Sequence, residues 1–192
     1  MNIANRLTLL RIILTFVFMF FLFCHGLWAK VLSLAIFIFA ALSDLFDGMI
    51  AQKRNMVTDF GKLMDPIADN ILVLAAFAAF VQMQIIEAWM FVLIVSREIM
   101  ITSLRLFALN KGKVLSATKA GKHKTASQMF VIFSILGFIV LKEVMLTFFI
   151  WNPSWEAIFR QGIYIFMLLT VALTLYSGLS YLWDNRKIIA KL

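Results

Sequence analysis

Four aspartates lie close together in a chain that is otherwise rich in apolar residues. They are Asp44, Asp47, Asp65 and Asp69, all within the stretch DLFDGMIAQKRNMVTDFGKLMDPIAD. If both halves of this stretch are helical, Asp44 and Asp47 share one helix face, and Asp65 and Asp69 share another. Two such helices joined by a short turn are neighbours, so we expect the four carboxylates to converge on one cleft.

Four carboxylates in an apolar setting need something to offset their charge. A charged aspartate in the middle of a membrane costs about 2.5–3.5 kcal/mol, and like charges repel one another. A divalent cation would supply the compensation, and all-oxygen ligands favour Mg²⁺ or Mn²⁺ over zinc. The residues alone leave two classes of protein open, a metal-dependent enzyme and a transporter whose aspartates line a cation pathway.

The elements that position these aspartates are predicted to be transmembrane helices. Hydrophobic residues make up 63% of the 192 positions, charged residues 15%, and the mean hydropathy is +0.95, which is outside the range of soluble domains. We predict an all-α integral membrane protein with six transmembrane helices and a short N-terminal amphipathic lead-in, forming one domain over residues 1–192. The predicted spans are residues 9–27, 31–52, 61–85, 88–109, 124–142 and 158–183.

The basic residues predict the orientation of these spans. Thirteen of the 18 Lys and Arg residues fall on the side that holds both termini and the aspartate stretch, while Lys30, Lys142 and Arg160 fall on the other side. Because cytoplasmic loops retain basic residues, both termini and the aspartates are predicted to be cytoplasmic. The net charge of +8 suits anionic headgroups or phosphorylated substrates without requiring nucleic acid. Because no Arg/Ser-rich transit segment is present, a bacterial inner membrane is favoured.

The full spacing D-x-x-D-G-x-x-A, nine residues, then G-x-x-x-D-x-x-x-D resembles the signature of the CDP-alcohol phosphatidyltransferases. The resemblance implies that Asp44, Asp47 and Asp65 bind metal in a two-metal Mg²⁺ or Mn²⁺ site. It also implies that Asp69 completes this site and acts as the base for the attacking hydroxyl, and that the enzyme is a homodimer. The positions it assigns to the CDP-lipid are Gly48, Ala51, Gln52, Arg54 and Gly61. The family's usual Arg after the alanine is replaced by Gln52, and Arg54 is its candidate substitute.

Two further segments, SREIMITSLRLFALNKG and AGKHKTASQM, together with the opening NRLTLLRI, resemble the phosphatidylglycerophosphate synthase branch of that family. Arg97 and Arg105 are about 80° apart on a helix, so both can face the cleft, with Lys122 and Lys124 at its mouth. Arg binds phosphate through two parallel hydrogen bonds and Lys as a point charge. The predicted reaction transfers the phosphatidyl group of CDP-diacylglycerol to sn-glycerol 3-phosphate, giving phosphatidylglycerophosphate and CMP among the membrane lipids.

Several alternatives remain open at the level of sequence. Arg97 could pair only with Glu98 or a carbonyl, and the lysines could serve only the membrane topology. Asn70 stands where this branch is expected to have Lys, so the acceptor could be another alcohol, as in a cardiolipin synthase or an inositol phosphate enzyme. Gln52 and Asn70 together also leave room for a member that has lost activity, and a cation-coupled transporter remains the alternative from a different class.

Overall fold

Every element in the described part of the chain is an α-helix, which confirms the all-α prediction. The computed structural model describes the backbone of residues 3–54, 59–113, 115, 119–149 and 151–189, and the side chains of these residues apart from 3–8, 44–54, 59–69, 119–120 and 187. The helices are α1 (Ile3–Phe23), α2 (Leu27–Arg54), α3 (Asp59–Gln82), α4 (Ala88–Asn110), α5 (Lys119–Phe148), α6 (Pro153–Asp184) and the short α7 (Arg186–Ile189). The predicted N-terminal lead-in is continuous with α1.

Two stretches of the described chain are long and apolar enough to cross a membrane. They are Gly121–Phe148 in α5 and the whole of α6. Among the residues whose side chains are described, α1, α2 and α3 contribute the apolar runs Leu9–Phe23, Leu27–Ser43 and Asn70–Gln82. In α4, three ionisable residues, Arg97, Glu98 and Arg105, lie in the middle part of the helix rather than at its ends. Helices α5 and α6 therefore agree with the membrane character expected from the composition.

The chain forms two compact units, and the first contains residues 1–79 and 134–153. In this unit α1 and α2 form an antiparallel hairpin. The rings of Phe18 and Phe37 are 5.3 Å apart, and the Lys30 ammonium donates a hydrogen bond to the Leu22 carbonyl at 2.7 Å. The hairpin turns at Gly26, whose φ of 97° is a conformation that favours glycine. This turn ends the first helix at Phe23, four residues earlier than predicted.

The second unit contains residues 80–133 and 154–192, and in it α4 and α6 run parallel. Arg97 near the middle of α4 contacts Ser177, and Arg105, further along α4, lies over the ring of Tyr181. The intervening α5 runs in the opposite direction. Lys124 near its start contacts Glu98, and the ring of Phe130 is 5.3 Å from that of Phe166, well before Ser177 in α6.

The turn that brings the chain into α4 is held by backbone hydrogen bonds and one arginine. The N–H of Ile85 donates to the Phe80 carbonyl and the N–H of Gln84 donates to the Val81 carbonyl, both at 2.9 Å. This is the Schellman arrangement, and Gln84 has the positive φ that it requires, 55°. Arg160 of α6 donates a 2.7 Å hydrogen bond to the Gln84 carbonyl. The starts of α4 and α6 are thereby held together.

The same arrangement ends α4. The N–H of Gly112 donates to the Leu109 carbonyl and the N–H of Lys113 donates to the Ala108 carbonyl, both at 2.9 Å. Gly112 has a φ of 69°, which glycine adopts without the steric cost that a side chain would add. Because this motif fixes where α4 stops, it also fixes how far Arg105 lies from the end of the helix.

Candidate functional site

The four aspartates lie on the two helices that the sequence predicted for them. Asp44 and Asp47 are inside α2, which continues to Arg54, and Asp65 and Asp69 are inside α3. The helical spacing on which the shared faces depend is thus confirmed. Their side chains lie outside the described residues, as do those of the CDP-lipid candidates Gly48, Ala51, Gln52, Arg54 and Gly61. Among the side chains that the structure describes, no three His, Cys, Asp or Glu residues are grouped as metal ligands.

The second unit contains a buried ionic cluster, formed by Arg97, Glu98 and Lys124. The carboxylate of Glu98 accepts a hydrogen bond from Arg97 Nη1 at 3.2 Å and another from the ammonium of Lys124. The side chain of Arg97 is 10% exposed, and those of Glu98 and Lys124 are each 7% exposed. Burial of three charges with only one carboxylate leaves a net positive charge in an apolar setting, which favours an anionic ligand.

Arg97 is further positioned by α6. Its Nη2 donates a 2.8 Å hydrogen bond to Ser177 Oγ, and its aliphatic stem lies against Gly178, where an added Cβ would come within 3.1 Å of Arg97 Cγ. Its Nε is buried and has no hydrogen-bond partner among the residues that the structure describes. Two nitrogens of the guanidinium, Nη1 and Nη2, are therefore engaged by the protein, and the buried Nε–H is left for another partner.

The other two predicted phosphate ligands are placed differently. Arg105 lies two turns further along α4, with its guanidinium carbon 5.7 Å from the centre of the Tyr181 ring. Lys122 is exposed, whereas Lys124, two residues later in the same helix, is buried. Of the four predicted residues, the structure brings Arg97 and Lys124 together through Glu98.

Sequence reasoning missed the contribution of α6. A polar stripe recurs along its buried face at intervals of three and four residues, the spacing that keeps side chains on one face of a helix. Glu98 was foreseen only as a possible partner of Arg97, and its contact with Lys124 depends on helix packing that no spacing reveals. The buried members of the stripe are Thr170, Thr174, Ser177 and Tyr181.

The all-helical elements, two of them long and apolar enough to cross a membrane, fit a membrane-associated protein. A family model described as CDP-alcohol phosphatidyltransferase matches residues 1–176. The chain therefore belongs to the CDP-alcohol phosphatidyltransferase family.

Within this family, the chain is similar to curated bacterial proteins that are named for the synthesis of phosphatidylglycerophosphate. The chain is 39% identical over 147 residues to a CDP-diacylglycerol–glycerol-3-phosphate 3-phosphatidyltransferase of Bacillus subtilis, covering 70% of this chain and 76% of the relative. It is 35% identical over 188 residues to the enzyme of the same name from Salmonella paratyphi A, covering 94% of this chain and 93% of the relative. It is 41% identical over 130 residues to a probable phosphatidylglycerophosphate synthase of Mycobacterium tuberculosis, covering 66% of this chain and 62% of the relative.

Proposed function

We propose that the protein transfers the phosphatidyl group of CDP-diacylglycerol to sn-glycerol 3-phosphate, giving phosphatidylglycerophosphate and CMP. Family membership and the names of the relatives support the class of reaction. The observation that carries the choice of acceptor is the buried pair Arg97 and Lys124 around a single carboxylate. A neutral alcohol would not need two buried cations, whereas the phosphate of glycerol 3-phosphate supplies the negative charge that they lack.

The chemistry is a phosphoryl substitution in which one hydroxyl replaces CMP. The acceptor oxygen forms a bond to the phosphorus that carries the diacylglycerol, and the bond from that phosphorus to the bridging oxygen of the pyrophosphate breaks. The leaving CMP takes the electron pair of the broken bond. Asp69 accepts the proton of the attacking hydroxyl, which makes the oxygen a stronger nucleophile.

The aspartates of α2 and α3 form a donor set that fits a hard divalent cation. Four carboxylates supply only oxygen ligands, which Mg²⁺ and Mn²⁺ prefer. In this proposal Asp44, Asp47 and Asp65 hold the ions and Asp69 completes the site. When bound, the metal ions would neutralise charge on the pyrophosphate and stabilise the departing phosphate.

Recognition of CDP-diacylglycerol is assigned to neighbouring positions on the same two helices. The small residues Gly48, Ala51 and Gly61 leave space for a bulky ligand to approach the backbone. Gln52 stands where the family usually has Arg, and Arg54 supplies the positive charge in its place.

The proposal places six spans in a bacterial inner membrane, with both termini and the reacting groups on the cytoplasmic side and two copies of the chain in a homodimer. The distribution of Lys and Arg supports this orientation. The parallel course of α4 and α6, with α5 antiparallel, is the pattern of three consecutive spans. Bacterial relatives support the type of membrane.

The first experiment measures CMP release by the purified protein with CDP-diacylglycerol and Mg²⁺ or Mn²⁺, with and without glycerol 3-phosphate. We expect release that requires the acceptor and is lost in Asp69→Asn. We also expect Arg97→Ala to raise the KM for glycerol 3-phosphate by at least about tenfold, because a charged hydrogen bond contributes about 1.5–3 kcal/mol. The KM for CDP-diacylglycerol should change little.

Other outcomes would redirect the proposal. CMP release with a different alcohol and none with glycerol 3-phosphate would keep the reaction and change the acceptor to that of a cardiolipin or inositol phosphate synthase. If CMP is released with none of the acceptors, Gln52→Arg would be the first variant to test, because the family usually has Arg at this position. Cation flux in proteoliposomes without CMP release would support the transporter and contradict the enzyme.

A further inference from the structure

Four buried polar atoms of the second unit have no hydrogen-bond partner among the described residues. They are Arg97 Nε, Gln128 Nε2, Thr174 Oγ1 and Tyr181 Oη. Gln128, Thr174 and Tyr181 are each at most 2% exposed. Buried polar atoms are rarely left unpaired, because each gives up its hydrogen bonds to water without replacement. Several such atoms in one three-helix unit therefore call for an explanation.

Thr174 differs from three other helical threonines that the structure describes. Thr15, Thr125 and Thr147 each donate a hydrogen bond to the carbonyl four residues earlier in their own helix, at 2.7–3.2 Å. Buried Ser and Thr side chains commonly satisfy themselves in this way. Thr174 does not, although it lies within α6 and is fully buried. Its hydroxyl is therefore left for a partner outside its own helix.

The unpaired atoms lie next to the proposed phosphate ligands. Thr174 is about one turn before Ser177, which accepts the hydrogen bond of Arg97, and Tyr181 is about one turn after it. Gln128 is one turn after Lys124 in α5. Thr174, Ser177 and Tyr181 follow one another at intervals of three and four residues, so all three lie on the same buried face of α6.

We infer that Gln128, Thr174 and Tyr181 bind the hydroxyl-bearing carbon chain of the acceptor, beside the phosphate that Arg97 and Lys124 hold. This rests on the proposed function and adds to it the part of the site that recognises a polyol. Hydroxyl groups of Thr and Tyr both donate and accept, and the Gln amide nitrogen donates, so the set matches alcohol groups. Inorganic phosphate lacks the carbon chain and would use only the cations.

The test uses variants that remove a hydroxyl and keep the shape, Thr174→Val and Tyr181→Phe, in the purified full-length protein. We expect each to raise the KM for glycerol 3-phosphate by about three- to tenfold, the effect of losing one hydrogen bond, with the KM for CDP-diacylglycerol unchanged. The Tm without acceptor should stay the same or rise, because the lost hydroxyl had no partner. A hydroxyl that supported the fold would lower the Tm instead.

Thermal stabilisation by glycerol 3-phosphate and by inorganic phosphate distinguishes the residues that bind the carbon chain from those that bind the phosphate. Glycerol 3-phosphate should raise the Tm of the unmodified protein more than inorganic phosphate does at equal concentration. In Thr174→Val that difference should shrink, while the effect of inorganic phosphate persists. In Arg97→Ala the effect of inorganic phosphate should itself be lost.

Two further variants control for packing. Thr174→Ser restores a hydroxyl at the same position and should restore the KM. Thr15→Val removes a hydroxyl that is equally buried but already bonded to the Arg11 carbonyl at 2.8 Å, and it should leave the KM for the acceptor unchanged.

The inference would be overturned by an unchanged acceptor KM in both Thr174→Val and Tyr181→Phe, or by a lowered Tm in both without an effect on the acceptor. Either result leaves the proposed function standing, since that is judged by acceptor-dependent CMP release in the unmodified protein. Absence of that release would overturn both.

Discussion

Glu98 is the residue on which the buried cations of the second unit depend. It is 6% exposed and contacts both Arg97 and Lys124. Removing one member of a buried ion pair is more damaging than the pair itself is stabilising, because the remaining charges stay buried without compensation. We therefore expect the carboxylate to stabilise the fold as well as to hold the two cations in place.

We expect Glu98→Gln, which keeps the shape and removes the charge, to lower the free energy of unfolding by about 3 kcal/mol. Denaturant unfolding of the purified protein in detergent would measure the loss. The matched control is Glu156→Gln, because Glu156 pairs with Arg160 at 3.0 Å across one helical turn on an exposed surface. That change should cost about 0.5 kcal/mol or less, and equal losses in the two variants would contradict the argument.

For individual residues, the sequence was enough to choose the candidate charged side chains but not to predict which residues they contact. Arg97 could be selected because charges within an apolar span are functional more often than structural, and Lys124 because it stands at the predicted mouth of the cleft in a segment that resembles the phosphatidylglycerophosphate synthase branch. Their joint contact with Glu98, and the contact of Arg97 with Ser177, join residues 26 and 80 positions apart. Such contacts depend on which helix faces meet, and neither spacing nor composition determines that.

The helix α5 is the element whose ends best test the proposed topology. Lys111 is exposed and precedes α5, and Asn152 is exposed and follows it. In a Cys24→Ser background, Asn152→Cys should react with a membrane-impermeant maleimide in intact spheroplasts. Lys111→Cys should react only after the membrane is permeabilised, because the proposed spans place it in the cytoplasm.

Reaction of both cysteines from the same side would show that α5 does not cross the membrane. A second pair of positions provides the control for accessibility. Lys113→Cys should behave as Lys111→Cys does, and Ser154→Cys as Asn152→Cys does, because each lies within two residues of the first site.

Some predicted helix boundaries agree with the structure and others differ from it by several residues. The second span was expected to continue through Asp44 and Asp47, and α2 does continue, to Arg54. The fifth helix was expected at residues 124–142 and extends over Lys119–Phe148. A prediction based on apolar stretches ends where charges begin, but a helix stops only where backbone geometry changes, as at Gly26 and Gly112.

For the whole molecule, the order in which the chain is made matters. The charged residues of α4 are paired with residues that come later in the sequence. Arg97 and Arg105 together oppose membrane insertion by about 5–7 kcal/mol if both lie near the centre. The eleven Leu, Ile, Val and Phe residues of α4 favour insertion by roughly 3–7 kcal/mol. The free energy of inserting α4 alone into the membrane is therefore close to zero, even before the cost of Glu98 is added.

We therefore expect a chain that ends after Lys113 to hold α4 poorly in the bilayer. Ile99 is 59% exposed on the surface of α4, so in full-length protein lipid should protect an Ile99→Cys variant from a water-soluble maleimide. In the shortened chain the same cysteine should become reactive. Equal protection in both chains would mean that α4 inserts unaided.

The cluster of Arg97, Glu98 and Lys124 has a consequence for biogenesis. Lys124 and Ser177 are translated after α4, so their contacts with Glu98 and Arg97 can form only once α5 and α6 have been made. Until α6 has been made, α4 lacks the contact between Arg97 and Ser177. The contacts that we propose to position the substrate phosphate would then also complete the membrane integration of α4.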